Sequence, residues 1–203
     1  MKEILCFGDS NTYGLIPGTT RRYDRETRWT GILAEKLYDK GYRIIEEGLC
    51  GRTSVFDDAT RDGRNGAKVL PMLLETHAPR DQVVLMLGTN DCKTYNHASA
   101  DRIGKGIEKL IQQIRKADPA IDILLVSPIE LGEDVWKPGF DLEFDQHSVK
   151  VSKELKQTYL KIAWKYGCDF LAASDVAKPS KADMEHMNEK GHKNLAKAIE
   201  SFL

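Results

Sequence analysis

The sequence predicts an α/β domain, doubly wound around a mainly parallel sheet of about five strands. Three observations carry that expectation. Short, wholly apolar runs recur along the 203 residues without the polar alternation of a half-exposed strand, as in strands covered on both faces. Between them lie segments whose apolar residues recur three and four apart, the spacing of amphipathic helices. The two patterns alternate, and parallel strands joined by helical crossovers produce that alternation.

The first strand covers residues 4–7 (ILCF) and stops at Gly8, which lets the backbone turn sharply. Asp9, Ser10, Asn11 and Thr12 follow, all side chains that accept hydrogen bonds from the free N–H groups of a helix start. Such a turn delivers the Ser10 hydroxyl to the sheet edge near the positive end of a helix dipole, although Asp9 or Ser10 would also serve as an ordinary cap. Residues 15–27 form a loop whose basic pair, Arg21 and Arg22, reads as a solvated face. Trp29, Ile32, Leu33 and Leu37 mark a helix that Gly41 stops. Residues 43–47 (RIIEE) form a short strand that opens into the glycine-rich loop GLCGRTSVFDD. A helical segment over 67–77 contains Pro71, so its first turn is expected to be irregular or to begin late. Residues 82–87 (QVVLML) are the strongest strand signal, and Gly88-Thr89-Asn90-Asp91 repeats the glycine-then-polar ending of the first strand.

Ile103, Ile107, Leu110, Ile111 and Ile114 define a helix over 98–117, followed by Pro119 and a third buried strand at 121–126 (IDILLV). Residues 129–147 show no period and mix Trp136, Phe140 and Phe144 with acids; a loop of this length is functional or an oligomer contact. A helix over 149–166, a short strand at 168–172 and a closing helix over 188–203 complete one domain, 1–203, with no linker or repeat.

Composition excludes several classes of function. With 30 basic and 31 acidic residues, the chain has no field that would draw nucleic acid or an anionic membrane. No run approaches the roughly 18 apolar residues of a membrane span, and no leader precedes the first strand, so the expected location is cytoplasmic. Cys6, Cys50, Cys92 and Cys168 form no C-x-x-C pair, which argues against a zinc knot or redox motif; they read as reduced, with Cys50 and Cys92 the more exposed.

Ligands of such sheets bind at the carboxyl ends of the strands, where this chain stores Ser10, Gly51 and Asn90. A nucleophilic serine needs a base, an acid that orients the base, and donors for a developing oxyanion. His77, His97, His147 and His192 read as surface residues. His186 differs, because Asp183-Met184-Glu185-His186 lies beyond the last strand, where an acid three residues earlier can orient the imidazole. The same pair would also fit a helix cap beside an exposed histidine. His186 and His192 are six apart and lack the spacing of a metal pair.

GDSN at 8–11, the glycine of LCGRT at Gly51, GTND at 88–91 and DMEH at 183–186 together resemble the four ordered blocks of the SGNH, or GDSL-type, hydrolases. Arg28-Trp29-Thr30-Gly31, Glu46-Glu47-Gly48-Leu49 with Arg52-Thr53, and Lys93 resemble the intracellular bacterial aryl esterase and acyltransferase branch. The resemblance implies a flavodoxin-like fold, Ser10 as nucleophile, His186 as base and then acid, and Asp183 as its orienting residue. It also implies an oxyanion hole from the N–H groups of Ser10 and Gly51 and the amide of Asn90, with no metal and no organic cofactor. Asn11 stands where leucine gives the GDSL name, touching no assigned catalytic group. Asp9, Tyr13, Leu15 and Lys93 are candidate substrate contacts.

The expectation is therefore a serine esterase acting on short acyl or aryl esters, with acyl transfer to alcohols as a further expectation. Its partner is a small-molecule ester, and a homo-oligomer is expected from the aromatic 129–147 loop. Carbohydrate O-deacetylase, thioesterase and lysophospholipase are alternatives on the same residues. From another class, a non-catalytic flavodoxin-like binding module would leave Asn90, Asp183 and His186 without a purpose.

Overall fold

Strands β1 (Lys2–Gly8), β2 (Tyr42–Gly48), β3 (Gln82–Met86), β4 (Asp122–Ser127) and β5 (Asp169–Ala172) form one sheet in the computed structural model, which describes all 203 residues. Every pairing is parallel and the order is β2-β1-β3-β4-β5. The winding reverses between β1 and β3, and at such a switch point the loops diverge and leave a crevice at the carboxyl edge.

Successive side chains of a strand point to opposite faces, so a run apolar at every position needs cover on both sides. Leu5, Phe7, Val83, Leu85, Ile123 and Leu125 lie in one buried cluster, and Ile4, Cys6, Val84, Met86, Leu124 and Val126 in the other. The helices are α1 (Ser10–Tyr13, a single turn), α2 (Trp29–Leu37), α3 (Gly66–Thr76), α4 (Ala100–Ala117), α5 (Gln146–Tyr166) and α6 (Glu189–Glu200). Those numbered α3, α4 and α5 cover the first face, and α2 and α6 the second. Each fully buried aliphatic side chain contributes about 1.5–3 kcal/mol, so the sheet depends on both layers. None of the helices is long and apolar enough to cross a membrane.

Among the elements that differ from their sequence-based boundaries, such as the closing helix, which ends at Glu200 rather than at 203, three helix starts have local reasons. Helix α5 begins at Gln146 because Asp145 and Ser148 form a capping box, each side chain accepting from the other's backbone N–H at 2.7 and 3.2 Å. Helix α4 begins at Ala100, its N-cap Ser99 accepting from the Arg102 N–H. Helix α3 begins at Gly66 and runs through Pro71 without a late start. Proline cannot donate to the Ala67 carbonyl one turn earlier. The Gln113 side chain of α4 donates to that carbonyl instead, at 2.8 Å.

The 129–147 segment packs on its own domain. Leu131, Val135 and Phe144 are buried in the first core cluster, and Trp136 packs against it. Trp136 and Phe144, two of the three aromatic side chains of this segment, thus pack within the chain. Cys92 is buried rather than exposed, because the turn after β3 folds inward and points its thiol at the Gly88 carbonyl. Cys50 and Cys168 are half-buried.

Candidate active site

The turn after β1 is as tight as its sequence suggests. A Cβ on Gly8 would lie 2.0 Å from Thr12 Oγ1 and 2.7 Å from the Met86 carbonyl, so no larger residue fits. Asp9 caps the turn, accepting from the Asn11 N–H at 3.0 Å. At 1% exposed it is part of the frame beneath Ser10 rather than an open substrate contact, and burial pushes its carboxyl up to about 6.

Residues 176 positions apart meet above this turn. His186 Nε2 lies 2.8 Å from Ser10 Oγ, and His186 Nδ1 lies 2.8 Å from Asp183 Oδ2. The Asp183 carboxylate also accepts from the backbone N–H groups of Gly18 (2.8 Å), His186 (3.0 Å) and Glu185 (3.1 Å). Burial alone would raise the Asp183 pKa, but the hydrogen bond and charge of His186, with these backbone donors, hold it below the usual carboxylate value. Between Asp183 and His186 the chain passes through Met184 at φ 60°, a left-handed conformation uncommon for a side-chain-bearing residue. The Gly132 N–H donates to the Met184 carbonyl at 2.7 Å, which anchors this turn to the 129–147 segment.

Asn11 has a larger part than its place in the motif indicates. Its side-chain oxygen accepts from the Met187 N–H at 3.0 Å, and its carbonyl accepts from Trp29 Nε1 at 3.1 Å. It therefore ties the serine turn to the histidine loop and to α2. His192 is also not on the surface. It is completely buried, its Nδ1 faces the Trp29 N–H, and burial pushes its pKa down to about 4, keeping the ring neutral. Its spacing with Leu195 and Ile199 marks the buried face of α6.

Gly51, at φ 81°, stands in the left-handed region, and its backbone N–H makes no hydrogen bond within the protein. Asn90 is 2% exposed and donates one amide hydrogen to the Arg52 carbonyl at 3.1 Å, leaving its second amide hydrogen for another acceptor. Neighbouring Asp91 accepts from the Ser54 N–H at 3.0 Å and from the Ser54 hydroxyl. Arg52 donates to the carbonyls of Gly8 and Glu47 and stacks over Phe7 at 4.3 Å. These contacts bind the loops after β1, β2 and β3 into one rim.

The other candidate contacts are placed as follows. Leu15 donates its N–H to the Ser10 carbonyl at 3.0 Å. The Tyr13 ring lies under the Arg22 guanidinium at 4.5 Å, and Arg22 also donates to the Tyr13 carbonyl and pairs with Glu46. Arg22 is thus engaged rather than simply solvated. Glu46 further receives both arms of Arg28, at 2.6 and 2.8 Å, and the Thr30 hydroxyl. Lys93 is 5% exposed and committed to Glu143, so it fastens the 129–147 segment to the rim instead of standing free for substrate.

Glu185 was not singled out by sequence reasoning. It is 7% exposed, and its Oε1 lies 3.8 Å from His186 Nε2. Burial raises its carboxyl to about 7 against the opposing influence of His186 and Lys93. Burial would lower the pKa of His186, but Glu185 and the Asp183 hydrogen bond more than offset this and hold it above the ordinary histidine value. Were His186 to act as a base it would have to be neutral, so turnover would fall as pH drops through a His186 pKa that stands high. Glu185→Gln removes the negative charge that this carboxyl carries near and above pH 7, where it favours the imidazolium, and the acid limb of kcat/KM then moves to lower pH. A pH profile of both proteins on one ester checks this; an unmoved limb would show that Glu185 does not couple to the titrating group.

Residues 6–193 match the model of the GDSL-like lipase/acylhydrolase family. The chain belongs to this family. Among solved structures it resembles the aryl esterase of M. smegmatis, with 35% identity, a TM-score of 0.92 and full coverage of both chains. It also resembles a carbohydrate acetylesterase family member from Sinorhizobium meliloti, with 36% identity and a TM-score of 0.92 over 100% of this chain and 97% of that one. Est24, a carbohydrate acetylesterase from Sinorhizobium meliloti, is 36% identical at a TM-score of 0.87, with full coverage of both chains. No curated protein sequence matches. Family and neighbours together identify an ester-hydrolysing enzyme on an SGNH fold.

Proposed function

We propose that this family member hydrolyses short-chain acyl esters through an acyl-enzyme on Ser10. The observation that carries the reading is the continuous hydrogen-bond chain from Ser10 Oγ through His186 to Asp183, with both links at 2.8 Å. The Asp183 carboxylate accepts a hydrogen bond from the Nδ1–H of His186, which leaves Nε2 as the base facing the hydroxyl. As Ser10 Oγ bonds to the ester carbonyl carbon, its proton passes to Nε2 and the carbonyl oxygen becomes an oxyanion. The N–H groups of Ser10 and Gly51 and the free amide hydrogen of Asn90 receive that charge. Collapse breaks the bond to the leaving oxygen, which takes the proton from Nε2. Water then repeats the sequence on the acyl-enzyme, releasing the acid and restoring Ser10. No step requires a metal or organic cofactor.

The acyl group is short and the alcohol aryl or carbohydrate by analogy with the aryl esterase and carbohydrate acetylesterases it resembles. A fluorophosphonate probe tests the reading directly: it labels the wild type stoichiometrically and leaves Ser10→Ala unlabelled. Labelling that persists in the mutant would move the nucleophile elsewhere. Asn90→Ala is expected to lower kcat for p-nitrophenyl acetate by about 100-fold, the loss typical of one oxyanion donor. Because Asn90 also bonds the Arg52 carbonyl, melting is followed alongside; a variant that melts earlier yet keeps its kcat would reduce Asn90 to a loop brace.

A further inference from the structure

Glu185 is the buried acid for which the mechanism above has no use. Its backbone is committed, the N–H donating to Asp183 Oδ1 and the carbonyl accepting from the Asn11 amide. Its carboxyl oxygens accept no hydrogen bond from the protein, although the residue is only 7% exposed. Lys93, the nearby cation, is already paired with Glu143. The one close polar neighbour of the Glu185 carboxyl is His186 Nε2, at 3.8 Å and beyond hydrogen-bond distance, so the carboxyl keeps its hydrogen-bonding capacity for a group that arrives beside it.

Its position indicates what arrives. His186 Nε2 hands its proton to the leaving oxygen, so that oxygen lies within hydrogen-bond distance of Nε2 when the tetrahedral intermediate collapses. Glu185 Oε1, 3.8 Å from the same nitrogen, is too far to bond it and stands beside the leaving group. An apolar leaving group there would strip water from the carboxyl and give nothing back. A hydroxyl on the carbon next to the ester oxygen would meet it. Resting on the serine-esterase reading, we infer that Glu185 is a specificity-determining residue that selects esters of vicinal diols and polyols by hydrogen-bonding the hydroxyl beside the scissile bond. A carboxyl suits that partner in either protonation state, accepting when ionised and both donating and accepting when neutral, whereas it would attract an ammonium only when ionised.

The test compares 2-hydroxyethyl acetate with propyl acetate, which carries a methyl group in place of the hydroxyl, and adds acetylcholine as a cationic ester. The wild type is expected to prefer the hydroxy ester by about tenfold or more in kcat/KM, the size of one good hydrogen bond at a site otherwise left unpaired. Glu185→Leu brings that ratio close to one, and Glu185→Gln, which still accepts and donates, keeps most of it. A wild-type ratio near one overturns the inference even if neither variant folds. So does a ratio that survives in Glu185→Leu, or a preference for acetylcholine over the hydroxy ester that both variants lose. Propyl acetate turnover that depends on Ser10 while the ratio is one sinks only the role of Glu185; turnover that ignores Ser10 sinks the esterase mechanism itself.

Discussion

Ser10→Ala is expected to lower kcat for p-nitrophenyl acetate by about three orders of magnitude or more while the protein stays folded. The Ser10 side chain makes one hydrogen bond, to His186, whereas the turn around it is held by backbone bonds and by the Asp9 cap. Removing the hydroxyl therefore deletes the proposed nucleophile and little else. Residual hydrolysis above the rate in water reflects the remaining oxyanion donors, which act on any nucleophile that reaches the carbonyl. Steady-state turnover, with circular dichroism and melting as controls for the fold, reads the result. Wild-type turnover in a folded Ser10→Ala protein would overturn the assignment of the nucleophile.

Asp183→Asn is expected to be nearly as damaging, at about 10³–10⁴ in kcat, for a reason that lies in hydrogen-bond polarity. The Asp183 carboxylate accepts from four N–H groups, those of Gly18, Glu185, His186 and the His186 ring. An asparagine has one oxygen to offer them and must turn an NH₂ toward the rest. If the NH₂ faces the ring, it opposes the Gly18 N–H, His186 Nδ1 becomes an acceptor, and the proton moves to Nε2, where it blocks transfer from Ser10. If the NH₂ faces the backbone, it opposes two N–H donors and loosens the turn that presents His186. Kinetics across pH, with melting temperature, separate these outcomes: a wrong tautomer opposes one backbone donor and lowers kcat more than melting, and a loosened turn opposes two and lowers both. A variant with wild-type kcat would show that His186 needs no carboxylate to hold it.

Much of this site was readable in the chain because its parts obey local rules. A strand apolar at every position, then glycine, then capping side chains describes one piece of geometry, and it occurs at Gly8 and again at Gly88. The D-x-x-H loop is a local turn as well, since Asp183 reaches both the backbone and the ring of a residue three positions on. Errors arose where polarity was taken for exposure. His192 and Cys92 are polar or reactive residue types in positions whose packing is apolar, and their burial follows from the face of α6 and from the inward turn after β3. Arg22 and Lys93 looked free because their acidic partners, Glu46 and Glu143, are 24 and 50 residues away.

By itself, the sequence determined what alternation and turn chemistry can encode: a parallel sheet covered on both faces, the strand ends that carry Ser10, Gly51 and Asn90, and a D-x-x-H turn that could serve either as a cap or as a pairing of Asp183 with His186. Each depends on residues close together in the chain, so the periodicity and the turn formers are visible in one dimension. The tertiary structure alone decided that the Gly18 N–H supports Asp183, that Asn11 staples the serine turn to the histidine loop, and that the Glu185 carboxyl lies beside His186 Nε2 without a hydrogen bond. The first two are contacts across 165 and 176 residues, and the third depends on how the turn at Met184 is folded. Nothing in local periodicity ranks one distant partner above another, and only the close packing of the loops at the switch point makes the choice.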